Sequence, residues 1–334
     1  MNTVTARNPV LPGILGWLLI FSCSVAGVIP FLNQGYMSVD VGETIYHARE
    51  IASGRVLYRD IFTHHFGGHI LPYLTIELFC DITPELLWCI TALVNFINAI
   101  LFFFWVSTTA NRKTGWLAAL ATSTMGWLWH WEGMMANVQF MLMPFLIFFN
   151  LCISRAIIYR SGHYWVAAAA CLGYLLISDQ RSVFFLPLLC LPFFRRDWGS
   201  ARNYLIKVLF ALFTLPLAAC IYLYANDALR DAFNATILFP VYYRNHGALT
   251  SYPNTLYQLF IESGIQAEPI FIALALCGFI VFISKEKRKL LVLQIVLGLF
   301  GAVLYAATGG RVFPHYLLFL MPPMIFLIAS IPYY

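Results

Sequence analysis

Residues 40–73, DVGETIYHAREIASGRVLYRDIFTHHFGGHILPY, form the longest polar interval of an otherwise strongly apolar chain. The interval contains four carboxylates, three arginines and four histidines. Of the 334 residues, 61% are hydrophobic and 10% are charged, whereas a soluble protein carries about 25% charged residues. We therefore expect an all-α polytopic membrane protein, a single transmembrane domain over residues 1–334, that holds this interval at one membrane face.

The cysteine content and net charge narrow the class further. Eight cysteines are scattered without a CxxC pair, which favours apolar helices over a disulfide framework or a zinc site. The net charge of +5 is modest, so we expect membrane lipids as the surroundings and no nucleic-acid partner.

Outward from the polar interval, ten apolar runs are predicted to cross the bilayer. They are residues 11–32, 85–110, 115–131, 139–159, 164–178, 182–194, 204–224, 265–283, 290–307 and 313–331. Residues 164–194 could instead be one long helix, and the short run 69–80 is typical of a helix lying along the interface.

The distribution of basic residues favours the ten-span arrangement with a cytoplasmic N-terminus. We expect the membrane to be a bacterial inner or plasma membrane. This arrangement places 13 of the 20 basic residues inside, as the positive-inside rule requires. A single helix over 164–194 gives 8 inside and 11 outside, and leaves Arg181 in the bilayer. The outer face then carries 13 of 15 acids and seven of eight histidines, and its two long loops are residues 33–84 and 225–264. We expect the chemistry at that face, in the first loop.

A short amphipathic helix is predicted in the first loop. Its apolar positions are Val41, Ile45, Ala48 and Ala52, and Gly54 supplies a stop. Its other face carries Glu43, His47 and Glu50 and is expected to point toward water or a cavity. Asp40 at the N-cap with Glu43 three residues later would form a capping box, which explains both acids without chemistry.

Two histidines suggest a metal site. His65 and His69 have the i, i+4 spacing that suits two ligands on one helical face. Glu43 or Asp60 could supply a third ligand for a divalent metal. The alternative is that these are interfacial histidines bonded to headgroups or neighbouring residues, and no other cofactor is expected.

Three motifs, taken in order, resemble the GT-C glycosyltransferases, in particular the protein-mannosyltransferase-like and aminoarabinose-transferase-like group. The motifs are Asp40-x-x-Glu43 with Leu57-Tyr58-Arg59-Asp60 after the first span, Ala136-Asn137-Val138-Gln139, and Arg311-Val-Phe-Pro-His315-Tyr316. This chain departs from the family at His64-His65-Phe66-Gly67-Gly68, where relatives often have Lys-Pro-Pro or His-His-Pro-Pro, and at Gln139, which replaces a Glu.

The resemblance implies an inverting glycosyltransferase that takes its sugar from a polyprenyl-phosphate donor. The acceptor is a glycan, a lipid or a protein. By the same resemblance, Asp40 is the candidate base, with Glu43 beside it, and Arg311, His315 and Tyr316 lie near the donor phosphate.

The chemistry agrees with this residue pattern. Phosphate leaves as a stable anion and needs no general acid, so one base and cations for the phosphate suffice. Arg181 and Arg244 are predicted to join Arg311 as phosphate ligands; the alternative for these two is snorkelling to headgroups.

Two other functions stay open. A transporter or flippase for a lipid-linked saccharide would carry functional charges within its spans and internal repeats. Here the spans are nearly free of acids, the charges gather at one face, and no clear internal repeat is present. A non-catalytic partner subunit of the same fold is consistent with the altered stretch at 64–68.

Overall fold

The computed structural model describes residues 13–29, 39–124, 136–195, 198–242, 252–308 and 313–334. Within these ranges the chain is almost entirely helical, without a β-strand and with one isolated bridge between Leu57 and Ile61. The all-α prediction is confirmed.

The described α-helices are α1 (Ile14–Ala26), α2 (Val39–Ala52), α3 (Leu71–Glu77), α4 (Pro84–Thr109), α5 (Arg112–Ser123), α6 (Val138–Tyr159), α7 (Gly162–Ser178), α8 (Leu186–Leu189), α9 (Trp198–Ala225), α10 (Leu229–Phe233), α11 (Tyr252–Tyr257), α12 (Pro269–Lys285), α13 (Lys289–Thr308) and α14 (Met321–Ser330). Shorter 3₁₀ segments are Gly67–Ile70, Gln180–Phe185, Leu191–Arg195, Pro314–Leu320 and Ile331–Tyr333. Asn234–Leu238 and Gln258–Gln266 are π-helical.

Five described helices are long and apolar enough to cross a membrane. They are Pro84–Thr109, Val138–Tyr159, Asn203–Ala225, Lys289–Thr308 and Pro314–Tyr333. Pro253–Gln266 and Pro269–Lys285, which meet at a 90° bend, would together form a sixth. The predicted count of ten is therefore not confirmed, because α1, α5, α7 and the broken segment after α7 are each too short within the described ranges.

The predicted break near residue 179 is confirmed. Helix α7 ends at Ser178, and a 3₁₀ helix begins at Gln180. The indole Nε1–H of Trp165, near the start of α7, donates to the carbonyl of Leu189 at 2.8 Å. Since these residues lie 24 positions apart, the chain doubles back after residue 179 and forms a hairpin.

The spans pack through small residues and a buried polar chain. A Cβ on Gly173 of α7 would lie 2.5 Å from the Leu212 carbonyl oxygen of α9. A Cβ on Gly278 would lie 2.5 Å from the Leu327 carbonyl oxygen. Trp105 donates to Ser154, which donates to Gln294 at 2.9 Å. Such close backbone approaches and side-chain hydrogen bonds associate helices in a lipid environment.

The outer surface of the bundle is apolar. Only 11% of the apolar window of Asn203–Ala225 is buried, and Ile206, Phe210 and Tyr224 are among its most exposed side chains. An exposed apolar face of this length is stable in lipid rather than in water. The chain is an integral membrane protein.

Charged clusters lie at two opposite ends of the bundle. At one end Arg288 forms a bidentate pair with Glu286, which also accepts from the Tyr334 hydroxyl, and Arg288 donates to the Thr109 carbonyl. Residues from the start of α2, the start of α6, the end of α7 and the end of α13 meet at the other end. The polar first loop belongs to this second group.

Candidate functional site

Asp40 lies in the first turn of α2. Val39 is already helical, so Asp40 is not the N-cap residue, and the predicted capping box is wrong. The Asp40 side chain is 52% exposed, while its backbone carbonyl accepts from the Thr44 hydroxyl at 2.8 Å. The carboxylate therefore has no capping duty and is accessible to a ligand.

Glu43 stands one turn further along α2. Its carboxylate lies 3.8 Å from Nε2 of His47, which is buried. Burial and the neighbouring Asp40 raise the pKa of the Glu43 carboxyl. The amphipathic helix and its stop are confirmed, with Gly54 at φ +96°. On its polar face the His47 side chain is buried, while the Glu43 side chain is 37% exposed.

His315 meets Asp40 from the other end of the chain. Its Nε2 lies 3.8 Å from Oδ2 of Asp40. The imidazole, 7% exposed, stacks on the Phe313 ring with an interplanar angle of 10°, and it meets the Tyr316 ring edge-on at 4.9 Å. These aromatic contacts hold the ring in place against Asp40.

Tyr316, the next residue, contacts Arg181. The guanidinium carbon of Arg181 lies 4.2 Å from the centroid of the Tyr316 ring and 4.3 Å from that of Tyr305. Arg181 is therefore held between two aromatic faces, a favourable arrangement for a desolvated cation. Because His315 and Tyr316 are adjacent, they join Asp40 and Arg181 in one cluster.

Asp179 fixes the orientation of Arg181. Nε and Nη2 of Arg181 donate to the two carboxylate oxygens at 3.0 and 2.6 Å. The Tyr305 hydroxyl donates to the same carboxylate at 2.5 Å and accepts from the Gln139 amide at 3.1 Å. Burial opposes ionisation of Asp179, but Arg181 and Tyr305 outweigh it and lower the pKa of the carboxyl to about 2.

One nitrogen of Arg181 has no hydrogen-bond partner among the described residues. Nη1 is buried and forms no hydrogen bond with any described residue. An unsatisfied buried donor costs about 1–3 kcal/mol, and more when it is charged. The site therefore holds a charged donor whose hydrogen-bonding capacity the described residues do not use.

The first-loop histidines pack beside this cluster. The rings of His64 and His65 are 4.0 Å apart, and those of His65 and His69 are 5.5 Å apart. His69 donates from Nδ1 to the Phe66 carbonyl at 2.7 Å. His65 precedes the 3₁₀ helix Gly67–Ile70, so the expectation that His65 and His69 share one helical face is wrong.

The described residues do not form a metal site around these histidines. They contain no group of three or more His, Cys, Asp or Glu side chains that could hold a metal ion. Of the proposed third ligands, Asp60 is bonded to Arg59 and to the Val56 amide, and Glu43 pairs with His47. His65 and His69 therefore have no third ligand among the described residues.

Gly68 attaches the histidine loop to the Asp179 turn. A Cβ at this position would lie 2.6 Å from the Ile177 carbonyl oxygen and 2.7 Å from the Ser178 hydroxyl. The Tyr174 hydroxyl also donates to the Gly68 carbonyl at 3.1 Å. A glycine is required because the two backbones touch just before Asp179.

Gly68→Ala is expected to destabilise the protein by about 1–3 kcal/mol, because a methyl group would be forced against backbone. The measurement is thermal unfolding in detergent. Gly42→Ala is the control, since its Cβ would meet nothing within 4 Å. Equal melting temperatures for the two variants would contradict the close contact.

The buried histidines predict a loss of stability in mild acid. Burial lowers the pKa of His69 to about 4, although its bond to Phe66 opposes this. As the pH falls, the unfolded chain, with a histidine pKa near 6.5, binds a proton before the folded protein does. The contribution of neutral His69 to the free energy of unfolding is therefore present above pH ~6.5 and is lost as the pH falls toward 4. Between pH 7.5 and pH 5.5 we expect His69 to lower the free energy of unfolding by about 1 kcal/mol. The unfolding temperature of His69→Gln should change less over this range than that of the wild type; an equal change would contradict the assignment.

All of the predicted site residues that the structure describes lie at one end of the bundle: Asp40, Glu43, His65, His69, Arg181, His315 and Tyr316. Arg244 and Arg311 lie outside the described residues, and their roles stay predictions. Asp179 and Tyr305 were missed as site residues. The Asp179-Gln180-Arg181 turn was visible as a break, but no local signal marks Tyr305, which lies 124 positions from Arg181.

The architecture is that of the GT-C fold. A similar solved structure is the crystal structure of ArnT from Cupriavidus metallidurans bound to undecaprenyl phosphate, with a TM-score of 0.69 and 13% sequence identity. The match covers 95% of this chain and 60% of the ArnT chain, so this chain spans about three fifths of the ArnT length. No family model and no curated protein matches the sequence.

Proposed function

We propose that this chain is a membrane glycosyltransferase that moves a sugar from a polyprenyl-phosphate donor to an acceptor. The observation that carries the proposal is Nη1 of Arg181, which no described residue hydrogen-bonds, in the same cluster as the accessible Asp40 carboxylate. A phosphate ligand and a base are what this reaction needs. The ArnT structure, with its bound undecaprenyl phosphate, supports a lipid phosphate as the ligand.

In this mechanism the donor phosphate accepts hydrogen bonds from Arg181. Asp179 and Tyr305 keep the guanidinium in place, so it need not reorganise as negative charge develops on the leaving phosphate. Asp40 removes the proton of the attacking acceptor. We place the reaction at the outer face, and Arg311 and Arg244 remain predicted additional phosphate ligands.

The buried polar groups of the spans favour an enzyme over a flippase. The five long apolar helices contain no buried carboxylate, lysine or arginine among their described residues; their buried polar side chains include Asn95, Asn98, Asn150 and Gln294. Transporters place functional charges near the bilayer midplane. The described charges gather at the ends instead.

Binding of undecaprenyl phosphate to the purified protein, followed by native mass spectrometry, tests the phosphate site. We expect Arg181→Lys to bind about 10- to 100-fold more weakly than the wild type, because lysine keeps the charge but loses the directed nitrogen. Arg288→Lys is the matched control, since Arg288 forms the same bidentate pair at the opposite end. Unchanged binding by Arg181→Lys, or an equal loss in both variants, would contradict the site.

A further inference from the structure

We propose that a second phosphate-binding site lies at the end of the bundle opposite Asp40. Four side chains form it, and its ligand is the phosphate group of an anionic membrane phospholipid. The four residues are Arg155, Tyr164, Tyr204 and Lys207. This site is independent of the proposed sugar transfer, because it shares no residue with the Asp40 cluster.

The position of Arg155 along α6 places it near a membrane boundary. Helix α6 covers the 22 residues Val138–Tyr159. At about 1.5 Å per residue it is about 33 Å long, close to the ~30 Å thickness of the hydrocarbon core. Ser154 accepts a hydrogen bond from Trp105 of α4 at 2.9 Å, and α4 ends at the Arg288 cluster. Arg155 therefore lies at the Arg288 end, within reach of lipid phosphates.

Arg155 has no counter-charge within the described part of the chain. Its side chain is partly buried, and its Nε is buried without a hydrogen-bond partner among the described residues. Helices α6, α7 and α9 contain no acidic residue. The guanidinium carbon lies 5.4 Å from the centroid of the Tyr164 ring, a contact that holds a cation without neutralising it. Because an unpaired charge in a span is costly, this arginine calls for an anion from outside the chain.

Helix α9 brings a second cation to the other side of α7. Nζ of Lys207 lies 5.5 Å from the centroid of the Tyr204 ring. That ring packs directly on α7, because a Cβ on Gly162 would clash with it, and the exposed His163 meets it at 6.0 Å. Two cations, each supported by a tyrosine ring, therefore flank the first turn of α7.

The chemistry of this surface suits a phospholipid better than a soluble anion. The arginine fork and the lysine ammonium both bind phosphate oxygens. Beside the exposed Lys207, the side chains of Ile206 and Phe210 are 73% and 75% exposed, so acyl chains can lie on α9 while the phosphate meets the cations. Basic pockets between transmembrane helices bind anionic headgroups in this way. A soluble anion would leave the apolar face unused.

Native mass spectrometry of the purified full chain, titrated with phosphatidylglycerol, phosphatidylcholine or inorganic phosphate, tests the site. We expect phosphatidylglycerol to bind about tenfold more tightly than either of the others. The double variant Arg155→Gln with Lys207→Gln should bind it about 25-fold more weakly, since each basic residue contributes about fivefold near an anionic lipid. Lys113→Gln is the control and should change binding by less than about twofold, because Lys113 is an exposed cation of the same end on α5, which packs on α1, α4 and α14.

Arg155→Lys keeps the charge but loses the planar fork, and should bind phosphatidylglycerol about threefold more weakly with an unchanged melting temperature in lipid-free detergent. Wild-type affinity in the double variant, or an equal loss in Lys113→Gln, would overturn the proposal.

The competing ligands give the remaining outcomes. Equal affinity for phosphatidylcholine, or displacement of phosphatidylglycerol by an equal concentration of inorganic phosphate, would show that the surface selects no anionic lipid. Undecaprenyl phosphate should bind in addition to phosphatidylglycerol, and Arg181→Lys should keep the affinity for phosphatidylglycerol. Loss of phosphatidylglycerol in Arg181→Lys would place this lipid at the Asp40 end and overturn the second site, whatever the outcome for sugar transfer.

Discussion

Asp40→Asn is expected to reduce sugar transfer by about 100- to 10,000-fold, the range that a positioned general base contributes. Asparagine keeps the size and the hydrogen-bonding oxygen of the side chain but cannot take a proton at neutral pH. Because Asp40 caps no helix and is half exposed, the substitution should leave the fold and the binding of undecaprenyl phosphate unchanged. The measurement is the initial rate of transfer from a radiolabelled undecaprenyl-phosphate sugar.

Asp60→Asn is the matched control for this substitution. Asp60 is an aspartate of the same loop, but its carboxylate is bonded to Arg59 and the Val56 amide. Its exposed ion pair contributes little, so its transfer rate should stay near that of the wild type. A well-folded Asp40→Asn protein with near-normal transfer would show that Asp40 is not the base.

The second large effect is expected at Asp179. Asp179→Asn should destabilise the protein by about 3–5 kcal/mol, because it leaves the Arg181 guanidinium buried without a counter-charge. The side chains are 1% and 11% exposed, so water cannot replace the lost carboxylate. The same change releases Arg181 from its bidentate position and should weaken undecaprenyl phosphate binding.

Glu286→Gln provides the comparison for Asp179→Asn. The bidentate geometry of the Glu286–Arg288 pair is the same, but the Arg288 side chain is 36% exposed, so water can solvate it once the carboxylate is neutral. We expect a smaller fall in melting temperature and no change in lipid binding. The double variant Asp179→Asn with Arg181→Gln should regain part of the stability, since it removes both charges. Equal losses at the two pairs, or no recovery in the double variant, would contradict the argument from burial.

Much of the architecture follows from local pattern. Apolar runs predicted the long helices, and the polar turn at Asp179 predicted the break and the hairpin. The amphipathic helix of the first loop, with its stop at Gly54, was evident from spacing. The number of spans could not be predicted from the sequence. A run such as residues 182–194 folds into alternating 3₁₀ and α turns, and composition does not distinguish these from a continuous helix.

The site was only partly predictable, for a physical reason. Asp40, Arg181 and His315 could be assigned to one end because each lies next to a span terminus. Their pairing could not be assigned, because it depends on contacts between residues more than 100 positions apart. From the sequence, Arg181 was predicted as a cation for the phosphate, and Asp179 only as part of a turn. The burial of this ion pair could not be predicted, because it depends on contacts with the distant Tyr305 and Tyr316.

The fate of a labelled sugar in proteoliposomes that contain the wild-type protein and an undecaprenyl-phosphate sugar distinguishes a glycosyltransferase from a flippase. A glycosyltransferase detaches the sugar from its lipid and leaves it covalently attached to an acceptor at one face, and we expect this product from the wild type but not from Asp40→Asn. If the sugar instead crosses the bilayer while still attached to its lipid, and does so equally in both proteins, the chain is a flippase and not a glycosyltransferase.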